Sequence, residues 1–77
     1  MKELTAYLDR INNDPRNVET YGHPFDLTWK WAGSGDEPMI VVYEEADRHE
    51  LASGTKETII GNVRGSLEHW HLADPDA

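Results

Sequence analysis

Residues 25–45, FDLTWKWAGSGDEPMIVVYEE, decide the fold of this chain. Over residues 25–31, large apolar residues alternate with polar ones, which is the two-residue period of a half-buried strand. Residues 39–43 form a continuous apolar run, which is typical of a strand covered on both faces. The segment between them contains two glycines and a proline, which favour a turn. The pattern predicts an antiparallel hairpin with strands at 25–32 and 38–45.

The N-terminal thirteen residues predict an amphipathic helix. Their apolar side chains recur at the spacing of one helix face: Leu4, Tyr7, Leu8 and Ile11. The sequence Asn-Asn-Asp-Pro at 12–15 ends this helix, because Asn tolerates a left-handed cap and Pro disfavours helix in the residue before it. Residues 17–21 are compatible with one short helical turn. The charged segment 46–54 is compatible with a loop or a single turn anchored by Leu51.

Residues 55–72 carry signals for both helix and sheet. Their apolar residues step by three, four and three, which is a helical stripe: Ile60, Val63, Leu67 and Trp70. Gly61 and Gly65 each disfavour a helix by about 1 kcal/mol relative to Ala, and the β-branched residues favour a strand. Because four apolar residues in succession keep this spacing, we expect a helix whose two glycines let its backbone approach the sheet. The alternative is a third strand at 58–63 and a fourth at 67–72.

Together these elements predict a small α+β domain with the order α-β-β-α, spanning residues 1–72 and followed by a frayed acidic tail at 73–77. A two-stranded ribbon alone is only marginally stable in water, so we expect the two helices to cover it. The covered face of the hairpin would carry the large apolar groups Phe25, Leu27, Trp29 and Trp31. The alternative architecture is the N-terminal helix packed on a three- or four-stranded antiparallel sheet.

The overall charge disfavours several classes of function. Fifteen Asp and Glu against seven Lys and Arg give a net charge of −8. Such a surface repels nucleic acid and anionic membranes and attracts basic partners, although the same surplus can serve solubility alone. The chain has no Cys, and no apolar run approaches the about 20 residues that cross a bilayer. We therefore expect a cytoplasmic protein, monomeric or weakly dimeric, that binds neither nucleic acid nor membrane directly.

The sequence contains no strong catalytic or cofactor motif. No Ser lies in a G-x-S-x-G elbow, and a chain this short has little room for a concave site beside its core. The four histidines lack the spacing of a known metal motif: His23, His49, His69 and His71. His69 and His71 could share a metal ion only if they lay on a strand. We expect no enzymatic activity and no cofactor, with a His-based metal site as a minor alternative.

The acidic residues around the second predicted strand are the candidate partner-binding site. Between residues 36 and 50, six acids accompany one base, Arg48: Asp36, Glu37, Glu44, Glu45, Asp47 and Glu50. Alternate residues on a strand are about 6.7 Å apart, which is close to the spacing of neighbouring phosphates along a nucleic-acid strand. Carboxylates arranged in this way could imitate that backbone toward a basic groove. Because the hairpin turn and the loop after the second strand lie at opposite ends of that strand, we expect these acids to bracket one edge of the molecule.

In size and charge, the chain resembles phage-encoded inhibitors that occupy a basic DNA or RNA channel in restriction or CRISPR complexes. The resemblance rests on length, acidity and lack of Cys, and it implies a stoichiometric inhibitor that acts as a DNA mimic toward a basic protein surface. The alternative is an accessory or antitoxin-like module that binds its partner through the apolar hairpin surface at Ile40 and Val42.

Overall fold

The computed structural model describes residues 1–33, 36 and 38–77. The described elements are α1 (Lys2–Asn13), α2 (Pro15–Tyr21), β1 (Leu27–Ala32), β2 (Met39–Glu44), β3 (Glu50–Gly54) and α3 (Ile59–Leu67). The three strands form one antiparallel sheet in the order β1-β2-β3. This confirms the predicted α+β class, with helices at both ends of the chain around a central hairpin. Among the described helices, none combines the length and the apolar content needed to cross a membrane.

Helix α1 forms as predicted, and all four residues of its apolar stripe are buried: Leu4, Tyr7, Leu8 and Ile11. Asp14 both ends this helix and starts the next, because its carboxylate accepts a hydrogen bond from the Arg16 backbone N–H at 2.9 Å. Pro15 occupies the first turn of α2, where its missing N–H is not needed. The connector is therefore a two-turn helix over residues 15–21, longer than the single turn predicted at 17–21.

The hairpin pairs Leu27 with Glu44 and Ala32 with Met39, so its strands are slightly shorter than predicted. One face, called here the inner face, carries Leu27 and Trp29 and packs against the helices in a shared core. Trp29 also donates a hydrogen bond from Nε1 to Thr5 Oγ1 of α1 at 2.9 Å. Trp31 is 52% exposed, although we expected it to be covered. Its indole packs edge-on against Trp29, at a centroid distance of 5.6 Å.

Strand β3 corrects the prediction of a loop or single turn at 46–54. The chain reverses after β2 and pairs β3 alongside it, with a bulge opposite Val42 and Tyr43. The bulge lets the consecutive residues Leu51 and Ala52 both reach the core, which is why the strand lacks the alternating pattern of a regular one. Leu51 is buried, as its predicted anchoring role requires.

Helix α3 confirms the helical interpretation of the last third of the chain, although it spans only Ile59–Leu67. The alternative strands at 58–63 and 67–72 are therefore wrong. Ile59, Val63 and Leu67 are buried against the sheet. The predicted role of Gly61 and Gly65 is also wrong, because both are exposed and nothing lies within 4 Å of where their Cβ atoms would be.

The C-terminal tail is docked, which corrects the expectation that residues 73–77 fray. Leu72 is buried, and the Ala73 backbone both donates to and accepts from the Asn17 side chain. Asp76 receives two hydrogen bonds from the Arg10 guanidinium, at 2.9 and 2.8 Å. Arg64 donates to Asp74 at 3.0 Å. The partners come from all three helices, so the contacts exist only once the helices have assembled.

Candidate acidic interface

Each of the four arginines lies beside a carboxylate. The pairs are Arg10–Asp76 at 2.8 Å, Arg16–Asp14 at 2.7 Å, Arg64–Asp74 at 3.0 Å and Arg48–Glu45 at 3.6 Å. Arg10 of α1 and Arg64 of α3 are thus joined to the C-terminal tail, and Arg16 of α2 is joined to Asp14, the residue between α1 and α2. The Arg10 and Arg64 guanidinium groups also lie 5.7 and 5.3 Å from the ring centre of the buried Tyr7. The three arginines on the helices therefore pair with acidic side chains of the same chain.

Two of these pairs lower the pKa of their carboxyl groups. Hydrogen bonds from the Arg16 side chain hold the pKa of Asp14 below its usual value, and those from Arg10 do the same for Asp76. A carboxylate whose pKa is lower in the folded state contributes stability that is present above its unfolded pKa and is lost as the pH falls through the folded value. Both pairs therefore stabilise the fold at neutral pH and lose that effect in acid.

We expect the double variant Asp14→Asn, Asp76→Asn to melt below the parent protein at pH 7 and close to it at pH 2. Asn keeps the capping ability of residue 14 but removes the charge. The difference in melting temperature between the parent and the variant should disappear as the pH drops below about 4, where the Asp side chains of the unfolded chain become protonated. Thermal melts followed by circular dichroism from pH 7 to pH 2 measure this. The exposed pair Glu19→Gln, Glu68→Gln is the charge-matched control, and a gap that persists at pH 2 would contradict the assignment.

The structure divides the predicted acidic residues between two ends of the hairpin. Glu44, Glu45 and Asp47 lie at the end of β2 and in the turn that follows it, and Glu50 begins β3 opposite Tyr43. Asp36 is exposed in the hairpin loop, about 17 Å away by the length of the strand. Glu37 lies outside the described residues. Four of the six predicted residues therefore share one end of the sheet.

Asp26 is an acidic residue that the sequence analysis missed. Its backbone carbonyl accepts a hydrogen bond from the Glu45 N–H at 3.0 Å, one step beyond the Leu27–Glu44 pair. The hairpin register, had it been known, would have placed residue 26 beside residue 45. We call the resulting cluster the acidic end: Asp26, Glu44, Glu45, Asp47 and Glu50. Asp26, Asp47 and Glu50 are exposed, and Glu44 and Glu45 are half-buried.

Arg48 is the basic residue within the acidic end. It adopts a left-handed backbone conformation, with φ 60°, and donates its N–H to the Glu44 carbonyl at 2.7 Å. Its guanidinium lies 3.6 Å from the Glu45 carboxylate and 6.0 Å from the ring centre of Tyr43. One guanidinium thus accompanies five carboxylates at this end of the described sheet.

The predicted apolar contact surface does not exist as we stated it. Ile40 and Val42 are both 0% exposed, because they lie on the inner face of β2 beneath the helices. The opposite, outer face of the same strand carries Met39, Val41 and Tyr43, which are half-buried. Contact through apolar hairpin surface would therefore involve the outer face or the exposed Trp31.

The histidines are dispersed over the described structure. His23 stacks against Phe25 and His49 lies edge-on to Trp70, with centroid distances of 6.4 and 6.2 Å. His69 and His71 are exposed in the turn after α3. Within residues 1–33, 36 and 38–77, no three His, Asp or Glu side chains are grouped so that they could hold a metal ion.

No family model, curated protein or solved structure matches this chain. The fold itself defines the structural class: a small α+β domain with helices on one face of a three-stranded antiparallel sheet.

Proposed function

We propose that this protein is a stoichiometric inhibitor that docks its acidic end on a basic, nucleic-acid-binding surface of a partner protein. The observation that carries the proposal is the segregation of charge within the fold. Arg10, Arg16 and Arg64 are paired with carboxylates on the helical side, whereas the acidic end holds five carboxylates and one guanidinium. With Lys30 in the neighbouring groove counted as well, carboxylates still outnumber cations at this end of the sheet.

The geometry of a sheet end suits the imitation of a phosphate backbone. Neighbouring strands are about 4.8 Å apart, and alternate residues on one strand are about 6.7 Å apart. The backbone positions that carry the carboxylates at the ends of β1, β2 and β3 are therefore spaced on the scale of neighbouring phosphates. Because Asp26, Asp47 and Glu50 are exposed, they can meet Lys and Arg side chains without first breaking contacts in the core.

This mode of action requires a partner whose channel is lined by Lys and Arg, as in restriction or CRISPR complexes. It also places the protein in the cytoplasm, where such complexes work. Complementary charge would speed the encounter and orient the two proteins. The protein itself performs no chemistry in this scheme and needs no cofactor. Inhibition would follow from occupancy of the channel, so one molecule would inactivate one site.

The experiment measures displacement of a fluorescent DNA duplex from a panel of restriction and CRISPR effector complexes by anisotropy. We expect the parent protein to displace DNA from a susceptible complex at near-equimolar concentration. The variant Asp26→Asn, Asp47→Asn, Glu50→Gln should need about tenfold more protein, since three exposed ion pairs at roughly 0.5 kcal/mol each sum to about 1.5 kcal/mol. Direct binding should also weaken between 0.1 and 1 M salt, as the Debye length falls from about 10 to about 3 Å.

The matched control is Asp9→Asn, Glu19→Gln, Glu68→Gln, which removes three exposed carboxylates from the helical side. Both triple variants carry the same net charge, so a difference between them reports position and not total charge. Equal weakening by the two variants would contradict docking through the acidic end. Salt-independent binding would contradict an electrostatic mode altogether, and it would favour contact through apolar surface.

A further inference from the structure

Among the described elements, no helix packs on the outer face of the sheet. The buried core contains the inner-face residues of all three strands together with the stripes of α1 and α3. The strand residues that alternate with the inner-face residues form the outer face: Thr28, Lys30, Ala32, Met39, Val41, Tyr43, Glu50 and Ser53. None of these outer-face residues belongs to the buried core. The domain is thus a two-layer structure in which the second face of the sheet is available for contact.

The outer face carries an apolar strip between groups of opposite charge. Val41 and Tyr43 occupy the central strand, and Lys30 on β1 places its Nζ 5.2 Å from the Tyr43 ring centre. Glu50 on β3 is paired with Tyr43 from the other side. Together with Arg48, these side chains line a shallow groove of about 320 Å³. Positive charge on one edge strand and negative charge on the other make the face complementary to itself.

We propose that a second copy of this chain covers the outer face, in a two-fold dimer whose axis runs parallel to β2. Rotation about such an axis places β1 of each copy over β3 of the other. Lys30 is level with Ser53, two residues along the strand from Glu50, but its Nζ lies beside the Tyr43 ring, which is level with Glu50. The Nζ of one copy is therefore brought toward Glu50 of the other, and the same contact repeats in reverse, as a two-fold interface requires. The Tyr43 and Val41 side chains of the two copies meet at the centre. This inference holds whether or not the acidic end binds a basic partner.

The same rotation gives a second complementary contact. The Arg48 guanidinium lies 3.6 Å from the Glu45 carboxylate in the turn before β3, and the Asp26 carbonyl accepts from the Glu45 N–H on the β1 side. Placing β1 over β3 therefore brings Arg48 of one copy toward Asp26 of the other. Because the axis runs along the strands, the two acidic ends fall at the same end of the dimer, where they would form one larger negative surface.

The dimer should be weak. Three strands about 4.8 Å apart and five residues long give a face of roughly 14 by 17 Å, well below the about 800 Å² per partner of a standard interface. The net charge of −8 on each copy adds repulsion. We expect a dissociation constant on the order of 100 µM, because interfaces at the low end of the size range are weak.

Sedimentation equilibrium between 10 µM and 1 mM tests the proposal through the variants Lys30→Glu and Glu50→Lys. Each single variant places like charges opposite one another, so each should weaken the dimer by about tenfold or more. The double variant Lys30→Glu, Glu50→Lys restores the opposite charges and should dimerise like the parent protein. Both residues are exposed, so thermal melts should show all three variants folded.

The single variants also separate local pairing from total charge. Lys30→Glu makes the chain more negative and Glu50→Lys makes it less so; repulsion between whole molecules would therefore shift dimerisation in opposite directions. Lys56→Glu and Glu57→Lys, exposed in the turn before α3, make the same charge changes away from the sheet face and are the controls. A monomer at 1 mM overturns the proposal. Shifts of the dissociation constant in opposite directions for the two single variants also overturn the proposal. So does a dimer that Glu50→Lys leaves unchanged, which would favour pairing along the β1 edge.

Discussion

Replacing Asn17 with Ala should lower the free energy of unfolding by about 3 kcal/mol, because three backbone partners lose their hydrogen bonds at about 1 kcal/mol each. Asn17 is 1% exposed. Its Nδ2 donates to the carbonyls of Ile11 at 3.0 Å and Ala73 at 3.1 Å, and its Oδ1 accepts from the Ala73 N–H at 2.6 Å. A single amide thus joins the end of α1 to the C-terminal segment.

Urea denaturation measures the effect, with Asn13→Ala as the control. Asn13 is an exposed neighbour whose Nδ2 donates to the Asp9 carbonyl of its own helix, at 2.8 Å. Its replacement should change stability by no more than about 0.5 kcal/mol. Hydrogen exchange gives a second readout, because the Ala73 amide should lose its protection in the Asn17 variant at urea concentrations where the fold persists. Equal effects of the two substitutions would show that the Asn17 contacts do not hold the tail.

The sequence predicted those elements whose evidence is contained within a single segment. The stripe of α1, the alternation of β1 and the helical spacing in α3 are local patterns, and each of these elements forms. Of the stripe predicted for α3, Val63 and Leu67 are buried, whereas Ile60 is half-buried and Trp70 lies beyond the end of the helix. The observed boundaries differ from the predicted ones by a few residues where a capping residue sets the end of a helix. Asp14 is the clearest example, since it was interpreted only as part of a helix stop and also starts α2.

The features that the sequence did not predict depend on contacts between distant segments. Strand β3 lacks β-branched residues, and its bulge removes the two-residue period, so only its pairing with β2 identifies it as a strand. The tail is held by Asn17, Arg10 and Arg64, whose positions are fixed by helix packing. Asn12 was interpreted as a helix terminator, yet its amide exchanges two hydrogen bonds with the Leu27 backbone, at 3.1 and 2.8 Å.

The sequence predicted how many acidic residues this part of the chain carries, but not which of them lie together in the fold. Counting charges along residues 36–50 identified Glu44, Glu45, Asp47 and Glu50, which share one end of the sheet. It also included Asp36, which lies at the far end of the hairpin, and it omitted Asp26. The position of Asp36 agrees with its place in the predicted turn, whereas the omission of Asp26 follows from the hairpin register, because strand pairing brings together residues that are far apart in sequence. The pairing of the helical arginines is likewise visible only in three dimensions.

Replacing Gly54 with Ala should destabilise the fold by about 2 kcal/mol, within the range of overpacking a close contact. A Cβ atom at this position would lie 2.6 Å from Asn62 Nδ2 and 2.7 Å from Thr58 Oγ1. Each of these side chains would have to leave a hydrogen bond in order to move away. Asn62 donates to the Ser53 carbonyl at 2.8 Å, and Thr58 Oγ1 accepts from the Thr55 N–H at 2.9 Å. A methyl group here must break these bonds or push α3 away from β3.

The control for this prediction uses the glycines that we first expected to make the close contact. Gly61→Ala and Gly65→Ala place a methyl group on the exposed side of α3, where no atom lies within 4 Å. Each should stabilise the protein by up to about 1 kcal/mol, because Ala favours a helix over Gly. The same substitution should therefore change sign between the strand position and the helix positions in urea denaturation. If Gly54→Ala were neutral or stabilising, the contact between β3 and the start of α3 would be looser than the structure places it.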